Sequence, residues 1–201
     1  MFKLFCLLIF YLNGWKLINN SDGKIPKYVL LGAPHTSNWD LIFFMGGIYN
    51  MNLPLKFIIK KEWLKIFPLN KILLSAGAIS VDRESKSQTM VNKMAETINN
   101  SKEDIALLIA PEGSRKHVRK WKTGFYYTAL LAEVPIIIAH LDYAKKEVVF
   151  GFTFLPSGNY KEDMGIVKNY FKNVTPKYPE NFCLDIYQDD ENIAASSEVA
   201  V

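Results

Sequence analysis

The stretch Pro34-His35-Thr36-Ser37-Asn38-Trp39-Asp40 carries a histidine and, five residues later, an aspartate. A neutral imidazole can take a proton near pH 7. A carboxylate at its other ring nitrogen fixes the tautomer and stabilises the imidazolium that forms. On a regular helix, at about 100° per residue, the two side chains would stand roughly 140° apart. They serve one target only if His35 lies in a turn and Asp40 near the start of a helix. Pro34 before the histidine, and the capping residue types Ser37 and Asn38, fit that arrangement. No serine or cysteine sits in an elbow motif nearby, which points to a nucleophile carried by the substrate. The competing reading is a histidine that only caps a strand end.

Two other short stretches carry chemistry: Gly77-Ala78-Ile79-Ser80-Val81-Asp82-Arg83 and Pro111-Glu112-Gly113-Ser114-Arg115. Of 24 basic residues only Arg83, Arg115 and Arg119 are arginine, and all three fall between positions 83 and 119. A guanidinium binds phosphate or carboxylate with two parallel hydrogen bonds, whereas lysine is a point charge. Arg119, Lys116, Lys120 and Lys122 read as a solvated basic loop. The three histidines, His35, His117 and His140, show no metal-ligand spacing, and no metal is expected. Neither a dinucleotide fingerprint nor a Walker-type phosphate loop is present.

The elements that must position these residues alternate. Apolar runs at 28–33, 55–60, 78–81, 105–110, 135–140 and 148–154 read as strands. Helical patterns separate them at 41–50, 61–76 with a break at Pro68, 85–100, 125–133 and 160–173. Gly46-Gly47 permits close packing, and most apolar residues of 61–76 are assigned to the core. Asn19 to Gly23 reads as a turn cluster. This alternation predicts a single α/β domain over residues 1–188, with a mixed, largely parallel sheet flanked by helices. In such sheets sites gather at the strand-to-loop junctions, where all three stretches lie.

Phe2 to Leu12 is apolar apart from Lys3 and too short for a span of about 20 residues. It reads as a helix packed on the domain or lying in a membrane interface, with Tyr11 and Trp15 suited to the latter. The tail from Thr175 onward is expected to be mobile, above all the acidic residues 189–201.

The four acids of that tail leave 24 basic against 16 acidic residues before them, a balance of +8 where the whole chain shows +4. Such a surface suits an anionic membrane or an acidic carrier protein. Nucleic acid is a poor fit, because no recognition helix, finger or aromatic platform accompanies the charge. Cys6 and Cys183 form no motif and imply no disulfide framework. At 49% hydrophobic and 13% aromatic the composition is that of a packed domain.

Taken together the motifs resemble the glycerolipid acyltransferase family, of the lysophosphatidate acyltransferase type, whose four ordered blocks all occur here. They are His35 with Asp40; Gly77 to Arg83; Pro111 to Arg115; and Val134-Pro135-Ile136. The third block lacks the phenylalanine common in the family, with Ala110 in its place. Trp39 within the first block resembles short bacterial members. The resemblance implies His35 as general base, oriented by Asp40, for transfer of an acyl group to a hydroxyl. It implies Arg83, Glu112, Gly113, Ser114 and Arg115 as the acceptor-binding set, with Glu112 orienting Arg115 or bonding an acceptor hydroxyl. Backbone N–H groups near Gly113 are candidates for the oxyanion. Acyl-CoA or acyl carrier protein is the implied donor, a lysophospholipid-like molecule the acceptor, and no cofactor is implied. The expected location is the cytoplasmic face of the inner or plasma membrane, peripheral or monotopic. The alternatives are a non-catalytic lipid-binding protein and an acyltransferase with a non-phospholipid acceptor.

Overall fold

The buried strands are apolar on both faces, and successive residues point to opposite layers. Val29 and Leu31 enter one core, and Tyr28 and Leu30 the other. Ile136 and Ile138 face the first, and Ile137, Ala139 and Leu141 the second. A central sheet therefore separates two hydrophobic layers. The computed structural model describes residues 1–21, 23–81, 87–118 and 120–183.

In chain order the elements are α1 (Phe2–Leu12), β1 (Lys16–Asn19), β2 (Lys27–Gly32), α2 (Trp39–Met51), β3 (Leu55–Lys60), a 3-10 turn (Lys61–Lys65), α3 (Leu69–Ser75) and β4 (Ala78–Val81). They continue with α4 (Ser87–Asn99), β5 (Ile105–Ile109), α5 (Gly124–Ala132), β6 (Ile136–Asp142), β7 (Glu147–Phe154), α6 (Tyr160–Phe171) and a last 3-10 turn (Pro179–Asn181). The sheet order is β1-β7-β6-β2-β5-β3-β4. β6, β2, β5, β3 and β4 run parallel, and β7 pairs antiparallel with β6. This is the mixed, largely parallel α/β sheet that the alternation predicts. β2 lies at its centre, with Leu30 paired to Leu108 on one side and Ile137 on the other.

Helices α1, α2 and α3 cover one face and α4, α5 and α6 the other. Phe10 of α1 lies against Gly46 of α2, where a β-carbon would come within 2.5 Å of its ring. That contact is the close packing expected of Gly46-Gly47.

Lys16–Asn19 is an edge strand on β7 that the apolar runs did not mark, and it takes in Asn19, the first residue of the expected turn cluster. Two expectations need correction. In the 61–76 region Trp63, Ile66, Phe67 and Leu74 are exposed, and only Leu73 is buried in α3, so most of that surface is not core. The tail is fixed as far as Cys183: Tyr143 N–H donates to Thr175 O (2.8 Å), and Tyr178 N–H to Thr36 Oγ1 (3.3 Å). The acidic residues 189–201 lie outside the described residues.

Candidate active site

His35 follows β2, Glu112 follows β5 and Tyr143 follows β6. These are three adjacent parallel strands, so one end of the sheet presents all three residues together. The loop between β2 and α2 holds His35, and Asp40 is the second residue of α2, in its first turn. The turn-then-helix arrangement demanded by the spacing is present. Asn38 occupies the cap position without a side-chain cap bond, whereas Ser37 Oγ accepts the N–H of Trp39 at 3.1 Å.

Asp40 is buried and fully engaged. Its Oδ2 accepts the N–H groups of Thr36 and Ser37, each at 2.8 Å, and its Oδ1 accepts the Tyr143 hydroxyl at 2.7 Å. His35 Nδ1 stands 3.4 Å from Asp40 Oδ2. This separation is at the outer limit of a hydrogen bond, of the kind that tightens when substrate fills a site. The carboxylate assigns the proton to Nδ1 and leaves the lone pair on Nε2. The imidazole side chain is 28% exposed against 6% for Asp40, so a base at the surface rests on an acid beneath it.

Glu112 is almost completely buried, and its Oε1 accepts the backbone N–H of His35 at 3.0 Å. Its second oxygen is buried with no hydrogen-bond partner among the described residues. Desolvation pushes the carboxyl up to about 7, partly offset by the backbone N–H groups of Glu112 and His35. Glu112 is thus tied to the histidine loop from below. Gly113 has φ +62°, and the Lys122 ammonium lies 3.1 Å from where its β-carbon would be. The Gly113 N–H closes the turn onto Ala110 O at 3.2 Å, which takes this amide away from an oxyanion role. Ser114 is half-buried and accepts the Lys116 N–H at 3.1 Å, and Arg115 is exposed. Arg83 and Arg119 lie outside the described residues.

Tyr143 is the site residue that motif reading missed. Burial first, and then the bond to Asp40, push its phenol above the ordinary value, so it remains a donor at physiological pH. Its ring packs edge-on against Trp15 (5.0 Å) and Phe43 (6.1 Å). The available signal was positional: the strand-end argument that selects His35 and Glu112 applies equally to the end of β6. His140, by contrast, faces inward. Burial lowers it to about 4, and Tyr170 OH meets its Nδ1 at 3.2 Å, as suits a packed histidine.

A histidine seated on a buried carboxylate, at the C-terminal end of a largely parallel sheet, is an arrangement that can take a proton from a hydroxyl. The acyltransferase family model matches residues 21–139, and this protein belongs to the acyltransferase family. Among solved structures, the 1-acyl-sn-glycerophosphate (LPA) acyltransferase PlsC from Thermotoga maritima aligns with a TM-score of 0.60 at 17% identity. The alignment covers 85% of this chain and 75% of that one. At that identity the likeness is one of fold. Among curated proteins none matches the sequence.

Proposed function

We propose that this protein transfers a fatty acyl group from a thioester, on CoA or acyl carrier protein, to a hydroxyl of a lysophospholipid or related acceptor. The observation that carries this reading is His35 Nδ1 at 3.4 Å from the buried Asp40 carboxylate, within a member of the acyltransferase family. His35 Nε2 takes the acceptor's O–H proton as the oxygen attacks the thioester carbonyl. The tetrahedral oxyanion collapses, the C–S bond breaks, and the imidazolium returns the proton to the departing thiolate. Asp40 steadies the imidazolium, and Glu112 sets the backbone from which the imidazole projects. Arg115, with Arg83, supplies guanidinium groups for the acceptor's phosphate. Ser114 and Gly113 line that turn.

Work at the cytoplasmic face of a membrane, as a peripheral or monotopic protein, fits the exposed apolar residues. Leu4, Phe5, Leu8 and Leu12 of α1 are exposed, as are Trp63, Ile66, Phe67 and Leu74 around α3. α1 and α3 cover the same face of the sheet. Among the described residues no helix is long and apolar enough to cross a membrane. An interfacial position for α1 is the one that suits its length.

The test is acyl transfer by purified protein in detergent or liposomes. Lysophospholipids, glycerol 3-phosphate and amino-acid lyso-lipids serve as acceptors, with acyl-CoA and acyl carrier protein as donors. His35→Ala should lose about a thousandfold in turnover or more while keeping the wild-type circular dichroism. Full turnover in that variant overturns the mechanism.

A further inference from the structure

We propose that Lys177 binds a phosphate group of one of the two substrates, presented on a platform made by Trp39 and Tyr143. The proposal rests on the acyl-transfer reading above and adds a binding position to it. The Lys177 ammonium lies 5.7 Å from the centroid of the Trp39 ring and 5.4 Å from that of Tyr143. Both distances are within cation–π range. Ring faces steady a charge but accept no conventional hydrogen bond, so the three N–H donors of the ammonium remain for an anion. Among the described residues its charge meets those two rings and no carboxylate.

The platform is fixed to the catalytic pair. Trp39 is the first residue of α2, next to Asp40, and its ring stacks on Phe43 at 6.0 Å. Tyr143 holds Asp40 through its hydroxyl. The backbone on either side of Lys177 is also tied, Thr175 to Tyr143 and Tyr178 to Thr36, the neighbour of His35. A lysine held in this way keeps its head beside the site at a smaller entropic cost than a free surface lysine. The platform also gives a role to Trp39, which the His–Asp chemistry leaves unused.

Position selects the ligand class. Central strand β2 carries His35, β5 on one flank leads to Arg115, and β6 on the other leads to Tyr143 beneath Lys177. The segments that follow the two flanking strands thus lead to a cation each, Arg115 in the loop after β5 and Lys177 over the residue after β6. Acyl transfer from CoA, or from a carrier's phosphopantetheine, to a lysophospholipid brings two phosphate-bearing molecules to one histidine.

The experiment compares full-length wild type, Lys177→Gln and Lys177→Arg. Donors are long-chain acyl-CoA and the same acyl group on pantetheine without phosphate. Acceptors are lysophosphatidate and monoacylglycerol. Lys177→Gln should raise the KM of one phosphate-bearing substrate about tenfold, leave kcat and the KM of its phosphate-free counterpart within about twofold, and be rescued by arginine. A rise confined to lysophosphatidate assigns the acceptor's phosphate, and one confined to acyl-CoA assigns the donor's. Unchanged KM values, or equal rises with and without phosphate, overturn the proposal. If the wild type turns over none of these pairs, these donors and acceptors are ruled out for the acyl-transfer reading. Equilibrium binding of lysophosphatidate and of CoA then decides for Lys177: about tenfold weaker binding of either to Lys177→Gln upholds it, and equal binding overturns it.

Discussion

The Tyr143 hydroxyl donates to Asp40 Oδ1 at 2.7 Å, across 103 residues of chain. The same carboxylate meets His35 through Oδ2, so two neighbouring strands act on one side chain. Tyr143→Phe keeps the ring packing and removes only the donor. A hydrogen bond to a charged group is worth about 1.5–3 kcal/mol, so kcat/KM should fall by about ten- to a hundredfold. The loss should fall on kcat, with KM within about twofold. Steady-state kinetics of the variant check this, and near-normal kcat would reduce Tyr143 to packing.

Glu112 links the site to stability. Burial pushes its carboxyl up to about 7 in the folded protein from an ordinary value of 4.5. Between those values the folded state holds a proton that the unfolded state has released, so stability falls as pH rises through that window. The contribution is fully present below the lower value and lost above the upper one. Glu112→Gln keeps an acceptor for His35 N–H and cannot ionise. Its stability relative to wild type should rise by about 3 kcal/mol from pH 4.5 to 7 and then level off. Urea unfolding at several pH values measures this, and a constant difference would sink it.

The two faces of α1 should respond oppositely. Phe10 is buried against Gly46, whereas Leu8 is exposed. Phe10→Ala should cost about 3–5 kcal/mol of stability. Leu8→Asp should leave stability within about 0.5 kcal/mol. It should, however, weaken sedimentation with anionic liposomes if this face meets lipid. Unchanged sedimentation would place the membrane contact elsewhere.

Strand and helix order was legible because β2, β5 and β6 are apolar on both faces and separated by helical patterns. The His35–Asp40 relation was legible because it is local: one turn and the first turn of a helix decide it. Glu112 was legible as a residue but not as a role. Its hydrogen bond to His35 N–H arises from parallel pairing of β2 with β5, which no local pattern encodes. Tyr143 had only its place at a strand end and Lys177 no signal, since the role of each depends on which strand or segment lies beside which. β1 was hidden for another reason. Four residues, with only the middle two half-buried, are held by pairing with β7 rather than by their own alternation.

The segment from Thr175 to Tyr178 is joined to Tyr143 and to Thr36 after every strand of the sheet has been laid down. A chain cut after α6 would keep every described strand and α-helix and the Tyr143–Asp40–His35 contacts, but its Tyr143 backbone N–H and Thr36 hydroxyl would face water. The strip that seals this corner is therefore separable from the scaffold that sets the geometry of the pair.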